Sequence, residues 1–478
     1  MERQLPYDKT NKESILTFAK QLENNNLRSF LGERIFDYNL EKAGKGGFGT
    51  LVEEIFFQYS PNNESKPDFP EAGIELKTTP LKKTKKDLVS KERLVFNIIN
   101  YMEEHKESFK TSSFWKKNSE LLLLFYIYEK GILPIDLIFK IVRLWRFPIE
   151  DLKIIIDDWN KIASKIREGK AHEISEGDTL YLGACTKGAN KTSLREQPFS
   201  NVKAMQRAYS LKSKYLNFII GQTISKIDNE IDEKEYEYLL SESSLSREDY
   251  EKYHSERSKD IEPVVKSLND YKDGQTFEEL IIEKFKKFIG LSEKELIGEL
   301  NIEINPKAKN RYNVICNRIL GIKGKYIEEF EKAEVSMKTI VLNNAGSLKE
   351  SMSFQQIKYK EIINEEWLDS YLYNVLSKRF FFVVFQKDQD GSPRLKKVKF
   401  WTMPTQDLEK AEVFWEDVKN KIIAEDFNNF YTIADKKIFH VRPKAQNQKD
   451  LMETINGNFE KKKAYWLNSS YIKDIISN

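Results

Sequence analysis

Apolar residues along the chain fall in short blocks separated by charged stretches. Ile74-Glu-Leu-Lys77 alternates with period two, which predicts a strand with Ile74 and Leu76 turned into a core and Glu75 and Lys77 sharing the other face. Leu121–Tyr128 is almost wholly apolar and fits a buried strand. A helical stretch around Trp159 and a further short strand near Leu180–Leu182 follow. Helix, strands, helix and strand in this order predict an α/β or mixed α+β domain with a central sheet. No apolar run approaches the ~18 residues of a membrane span.

The pattern occurs twice. Gly49-Thr-Leu-Val-Glu53-Glu54 returns as Gly274-Gln-Thr-Phe-Glu278-Glu279, and Phe69 to Thr78 returns as Phe330 to Thr339, with Glu75 replaced by Ser336 and Lys77 kept as Lys338. Trp159 matches Trp415 at a spacing of 256, Lys187-Gly-Ala-Asn190 matches Lys444-Ala-Gln-Asn447 at 257, and Ala208-Tyr209 matches Ala464-Tyr465 at 256. The spacing is 225 at Glu53/Glu278 but 261 at Glu75/Ser336, so about 36 extra residues lie inside the second copy, near Ile289–Lys325. The chain therefore divides into a first copy at 1–225, a polar, charged connector at 226–260 that reads as helical, and a second copy at 261–478.

A length of 478 residues suits two or three domains. Forty per cent hydrophobic residues, with 30 Phe and 22 Tyr, suffice for packed cores. The net charge of +3 hides an uneven distribution: residues 1–220 carry 36 basic against 30 acidic side chains, residues 221–260 carry 6 against 12, and the remainder 36 against 33. Two mildly basic halves flank an acidic seam, which permits nucleic-acid binding without requiring it. Cys185 and Cys316 alone make no disulfide framework, and the start at Met1-Glu2-Arg3-Gln4 has no apolar signal core; both features suit the cytoplasm. His105, His172, His254 and His440 show no metal-site spacing.

Asp68, Glu75 and Lys77 bring together the group types that phosphodiester hydrolysis needs, carboxylates to hold a cation and an ammonium to meet the attacking water. Hard carboxylate oxygens favour Mg²⁺. Asp68 lies seven residues before Glu75, behind a turn at Glu71-Ala72-Gly73 that folds it back beside the same ion. Taken alone, a Glu-x-Lys on a strand is usually a solvated ion pair. Glu53 would be an exposed acid at a helix start, and Lys117 a surface lysine.

In order and spacing, however, Lys45-Gly-Gly-Phe-Gly49-Thr-Leu-Val-Glu53, Ser65-Lys-Pro-Asp68-Phe and Gly73-Ile-Glu75-Leu-Lys77-Thr78-x-Pro80 closely resemble the MutH and Sau-three-AI family of GATC-specific endonucleases. The resemblance covers most of both halves. It implies a restriction-endonuclease-like fold, here duplicated, and Mg²⁺-dependent hydrolysis of double-stranded DNA at GATC, cut 5′ of the G. It also implies Asp68 and Glu75 as metal ligands, Lys77 as the residue that positions or deprotonates water, and Glu53 and Lys117 as completing the catalytic site. It makes Lys187, Arg207, Tyr209 and Lys212 the DNA-binding positions of the first half, and Arg442, Lys444 and Tyr465 those of the second. Cys185-Thr186 stands where the second copy has Arg442-Pro443, so the first copy departs from the MutH form there.

Between Thr186 and Ile220, Lys187, Lys191, Arg195, Lys203, Arg207, Lys212 and Lys214 face one acid, Glu196, and this supports DNA binding independently. Lys82, Lys83, Lys85 and Lys86 extend the basic surface after the Glu75 strand. In the repeat alignment Ser336 occupies the Glu75 position, Glu329 that of Asp68 and Leu376 that of Lys117, which predicts a second half that binds DNA without cutting it. The expected protein is a type II restriction endonuclease that self-associates on its palindrome, with a cognate DNA methyltransferase as genetic partner. The alternatives are a strand-nicking endonuclease of mismatch repair and a non-catalytic GATC-binding protein.

Overall fold

In the computed structural model, residues 5–31, 47–59, 66–83, 88–188, 192–224, 260–348 and 351–477 are described, so the acidic connector, Asp260 apart, lies outside the described residues. The first half is built on a mixed sheet in which β1 (Glu75–Lys83) pairs antiparallel with β2 (Leu88–Ser90) and parallel with β4 (Glu120–Ile127), and β4 pairs antiparallel with β5 (Phe139–Arg146). The unbroken apolar run of β4 is explained by cover on both faces. Leu121, Leu123 and Phe125 enter one core with the helices Ser113–Asn118 and Ile149–Arg167, while Leu122 and Leu124 enter another with the N-terminal helices. A second sheet packs alongside, with β9 (Arg207–Leu211) between β3 (Leu94–Ile98) and β6 (Leu182–Thr186). Its third strand starts at Leu182, so the strand expected near Leu180–Leu182 lies slightly later. A hairpin of β7 (Leu194–Gln197) and β8 (Ser200–Met205) projects from this sheet.

The second half repeats the plan. After a two-residue parallel pair, β10 (Ile261–Glu262) and β11 (Tyr326–Ile327), come β12 (Ser336–Leu342), β13 (Met352–Gln356), β14 (Phe380–Lys387) and β15 (Pro393–Trp401), followed by β16 (Phe439–Pro443), β17 (Leu451–Glu453), β18 (Phe459–Lys461) and β19 (Lys463–Leu467). β12 pairs parallel with β14 as β1 does with β4, β19 lies between β13 and β16 as β9 does between β3 and β6, and β17–β18 repeats the β7–β8 hairpin. The Trp159 helix Ile149–Arg167 and the Trp415 helix Thr405–Ile423 have the same length of 19 residues and each follows a proline N-cap. The inserted segment forms the helices Glu293–Glu299 and Arg311–Ile319.

The halves are joined by one continuous core. It runs from Leu121 and Trp159 through Tyr215 and Ile219 to Phe277, Phe330 and Phe381. Within this junction Lys332 Nζ lies 2.8 Å from both carboxylate oxygens of Asp151 and 2.9 Å from Glu328 Oε1, while Tyr215 donates to Asp151 at 2.8 Å. Gly177 is held against Thr402, whose hydroxyl donates to its carbonyl at 2.6 Å; a Cβ at 177 would meet Thr402 Cγ2 at 2.4 Å and Ser377 O at 2.7 Å. The Lys332 cluster has a measurable consequence, because removing one partner from a buried ion pair leaves the other uncompensated. Lys332→Ala is expected to lower the unfolding free energy by about 3–5 kcal/mol in urea denaturation, whereas Lys170→Ala, which breaks the exposed pair with Glu168, leaves the midpoint in place. Equal midpoints for Lys332→Ala and the parent chain would refute the assignment of the cluster as a lock.

Candidate active site

The turn ahead of β1 shapes the site. Gly73 takes a left-handed conformation at φ 70°, and Phe69 pairs with Ile74, so the chain doubles back and sets Asp68 beside the start of the strand. The Asp68 amide donates to Glu75 Oε2 at 3.2 Å, and the Leu76 amide donates to Asp68 Oδ2 at 2.8 Å. Glu75 is 2% exposed. Its Oε1 accepts from Lys77 Nζ at 2.6 Å and lies 3.7 Å from Lys117 Nζ. Lys117 reaches this point because its helix, capped by Ser112 on the Trp115 amide at 3.1 Å, runs directly into β4, and the parallel register sets Leu121 opposite Glu75.

Glu53 comes from a different element. The helix that begins at Gly47 widens into a π-helical stretch over Val52–Phe57 and ends at Gln58, which is left-handed at φ 60°. Burial, reinforced by the carboxylates of Asp68 and Glu75, pushes the Glu53 acid up to about 7. Burial likewise pushes Glu75 up to about 7, Asp68 adding to the effect while Lys77 and Lys117 oppose it. The structure thus brings Glu53, Asp68, Glu75, Lys77 and Lys117 together. Tyr59 joins them without a sequence signal. Its ring packs on Phe57 and Phe69, its buried hydroxyl has no partner among the described residues, and its titration is raised by burial and by Asp68 and Glu53.

A divalent cation fits this chemistry. Glu75 is a carboxylate held in a dry pocket against a second carboxylate, and a bound cation would relieve that repulsion. Among the described residues no group of three or more Asp, Glu, His or Cys side chains is placed to hold an ion. Asp68 and Glu75 would therefore supply two ligand groups, and water and substrate phosphate the rest, the usual arrangement for Mg²⁺.

The positions expected to bind DNA divide sharply. Lys187 is exposed just after β6, and its backbone amide donates to Gln206 O at 2.8 Å. Arg442 is exposed with its guanidinium 4.8 Å from the Trp466 ring, and Lys444 is exposed with its ammonium on Phe354 O at 2.6 Å. The other four are corrected by the structure. Arg207 is buried and donates to Ala184 O at 2.6 Å. Tyr209 is buried with its hydroxyl on Glu104 at 2.6 Å, a carboxylate that also accepts from Trp159 Nε1 at 2.6 Å. Lys212 is half-buried between the halves on Thr179 O at 3.2 Å and Ala333 O at 2.8 Å, and its partial burial pushes it down to about 8. Tyr465 is buried in the core of the second half. Arg207, Tyr209 and Tyr465 present no surface to a duplex; they hold the sheets that carry the exposed ones, and Lys212 is taken up by two carbonyls at the junction.

Lys214 is exposed and pairs with Glu331 at 3.0 Å. Arg195 and Lys203 remain exposed on the β7–β8 hairpin. That hairpin carries Phe199 at 72% exposure, and its counterpart β17–β18 carries Phe459 at 65%. Over Leu194–Met205 only Val202-Lys203-Ala204 alternates, so no period-two signal marks this hairpin in the sequence. Lys191, Lys85 and Lys86 lie outside the described residues.

In the second half the same positions are spent otherwise. Ser336 pairs with Phe380 as Glu75 does with Leu121. Glu329 accepts from the amides of Val264 and Val265 at 3.0 and 2.9 Å, and Glu278 is clamped by Arg379 at 2.7 and 2.6 Å. The Ser112 and Ser370 caps place Val375, rather than Leu376, opposite Lys117; the buried Leu376 matches the buried Asn118.

Two comparisons with known proteins bear on the site. A family model described as the DNA mismatch repair enzyme MutH matches residues 57–158 and again residues 322–412, one segment in each half. The type II restriction enzyme Sau3AI of Staphylococcus aureus is 37% identical over 495 residues, covering 95% of this chain and 93% of that enzyme. Among the described residues no helix is long and apolar enough to cross a membrane.

The raised acids give a pH test. In the metal-free folded chain Glu53 and Glu75 hold protons up to about pH 7, whereas the unfolded chain releases them near 4.5. Between those values the folded state binds more protons, so unfolding free energy must fall as pH rises. A decrease of roughly 2–3 kcal/mol per acid from pH 5 to 7.5 is expected in denaturant titrations with EDTA. Glu75→Gln should remove about half of the slope and stabilise the chain at neutral pH; an unchanged slope would contradict the electrostatic assignment.

Proposed function

The chain belongs to the MutH family of DNA endonucleases, and on that premise we propose that it is a type II restriction endonuclease cutting both strands of duplex DNA at 5′-GATC-3′, on the 5′ side of the G, with Mg²⁺ as cofactor. The observation that carries this reading is the meeting of Glu53, Asp68, Glu75, Lys77 and Lys117 in one pocket. Asp68 and Glu75 hold the cation, which when bound neutralises charge developing on the scissile phosphate. Lys77, two residues from Glu75 on the same strand face, orients the attacking water through its ammonium, and Lys117 adds positive charge beside the phosphate. Glu53 completes the acidic rim.

Residues 1–225 form the catalytic domain, 226–260 the connector and 261–478 a regulatory DNA-binding domain that cannot cut. Ser336 offers a neutral hydroxyl where the first half has a charged ligand, and Glu329 and Glu278 are already committed to amides and Arg379. Lys187 reads or grips the first duplex, with Arg195 and Lys203 on the hairpin beside it. Arg442 and Lys444 do the same in the second half. One active site must cut two strands, so two chains associate on the palindrome or two nicks follow in succession. The duplication favours restriction over mismatch-repair nicking, which has no use for a second copy. The enzyme acts in the cytoplasm, and its genetic partner is a methyltransferase that protects GATC.

With Mg²⁺ and plasmid DNA, Glu75→Ala and Asp68→Ala are expected to abolish cleavage while duplex binding persists, and Lys77→Ala to slow it by about 10²–10⁴-fold. Retained cutting by either carboxylate variant would remove the assigned site. Sequencing the ends produced from adenine-methylated and unmethylated plasmid tests the target and the cut position. Lys187→Ala should cost roughly 1–3 kcal/mol of discrimination if the contact is to a base, but equal losses on GATC and scrambled duplex if it is to a phosphate.

A further inference from the structure

The position that replaces the metal pocket in the second half is a cavity of about 490 Å³ between β12, β13 and the junction helices. Four lysines line it, and two are neutralised: Lys214 pairs with Glu331 at 3.0 Å and Lys378 with Glu334 at 2.7 Å. Lys338 and Lys444 have no carboxylate partner among the described residues. Lys444 Nζ is held by Phe354 O at 2.6 Å and Ser353 Oγ at 3.2 Å, which leaves it a proton to donate. Lys338 is half-buried, and its ammonium is disfavoured by burial and by the charge of Lys444. Tyr371 accepts from the Gln355 amide at 3.0 Å, so its own hydroxyl proton remains available.

For this lysine the contrast with the first half comes from one substitution. There Lys77 is satisfied by Glu75 at 2.6 Å. Here Ser336 occupies that place on the strand, and the retained lysine is left without its anion. A half-buried ammonium facing a second ammonium is costly unless an anion joins them. Both acids in the cavity are already paired, so a divalent cation finds no free carboxylate, whereas an oxyanion finds two ammonium groups and the hydroxyls of Ser336 and Tyr371.

We propose that the former metal pocket of the second half is a metal-independent phosphate site, in which Lys338 and Lys444 grip one phosphodiester of a bound duplex. The proposal rests on the reading of the second half as DNA-binding and names the contact it makes.

The test uses the full chain in EDTA, in a Lys77→Met background that silences the first pocket, with inorganic phosphate and a GATC duplex as separate probes. Phosphate should bind saturably by ³¹P NMR titration, Lys338→Arg should retain it, and Lys338→Met should lose it. Ser336→Glu should also lose it, because the new carboxylate would capture Lys338 as Glu75 captures Lys77. For the duplex, Lys338→Met should weaken binding about five- to tenfold and reduce the slope of log K against log salt by about 0.9. Unchanged phosphate binding in both Lys338→Met and Ser336→Glu would overturn the site. Lost phosphate binding with unchanged duplex binding in Lys338→Met and in Arg442→Ala would uphold the anion site and overturn instead the assignment of DNA to this half.

Discussion

The parallel pairing of β1 with β4 sets Glu75 opposite Leu121, and the chemistry of the first half hangs on that register. Parallel neighbours begin at the same edge of a sheet, so the segments that lead into them arrive side by side. Asp68 is delivered by the turn into β1, and Lys117 by the helix into β4. Because such a sheet is covered on both faces, the carboxylate at the edge is cut off from water. Its charge can be tolerated only through Lys77, Lys117 or a bound cation. The site is therefore a region where the fold bears an electrostatic cost that a bound cation would relieve.

The second half keeps the same register, with Ser336 opposite Phe380, and loses the buried carboxylate. Glu329 is turned onto the backbone amides of Val264 and Val265, and Glu278 onto Arg379. The acids have become fasteners between helices and the junction. The scaffold does not depend on those acids for its sheet, which needs only β-branched and aromatic residues at its centre, and Phe381, Val383 and Phe385 supply them.

Much of the site was legible because strands have a strict period of two. The i, i+2 spacing of Glu75 and Lys77 fixes a shared face, and the apolar run from Leu121 marks the strand beside it. The contribution of Glu53 was carried by the family resemblance; the widened turn that presents it has no signature in the local sequence. Arg207, Tyr209, Lys212 and Tyr465 show the limit of motif reading. β9 lies at the centre of its sheet, so Arg207 and Tyr209 meet protein rather than DNA. Lys212 counts as surface charge until Ala333 arrives from the far half to accept its proton. The duplication was visible in the near-constant spacing; the core and ion cluster that weld the copies together join residues more than a hundred positions apart, beyond any local pattern.

Gly177 carries a consequence for the history of such a chain. A duplicated gene begins as two interchangeable modules, each able to be lost, swapped or fused elsewhere. Where the backbone of one copy presses so closely on Thr402 and Ser377 of the other that a single methyl group has no room, that freedom is gone. A chimera that borrowed either half from a relative would have to inherit the matching surface with it. The two copies have become one unit of inheritance, and substitutions on either side of this contact are answerable to the other.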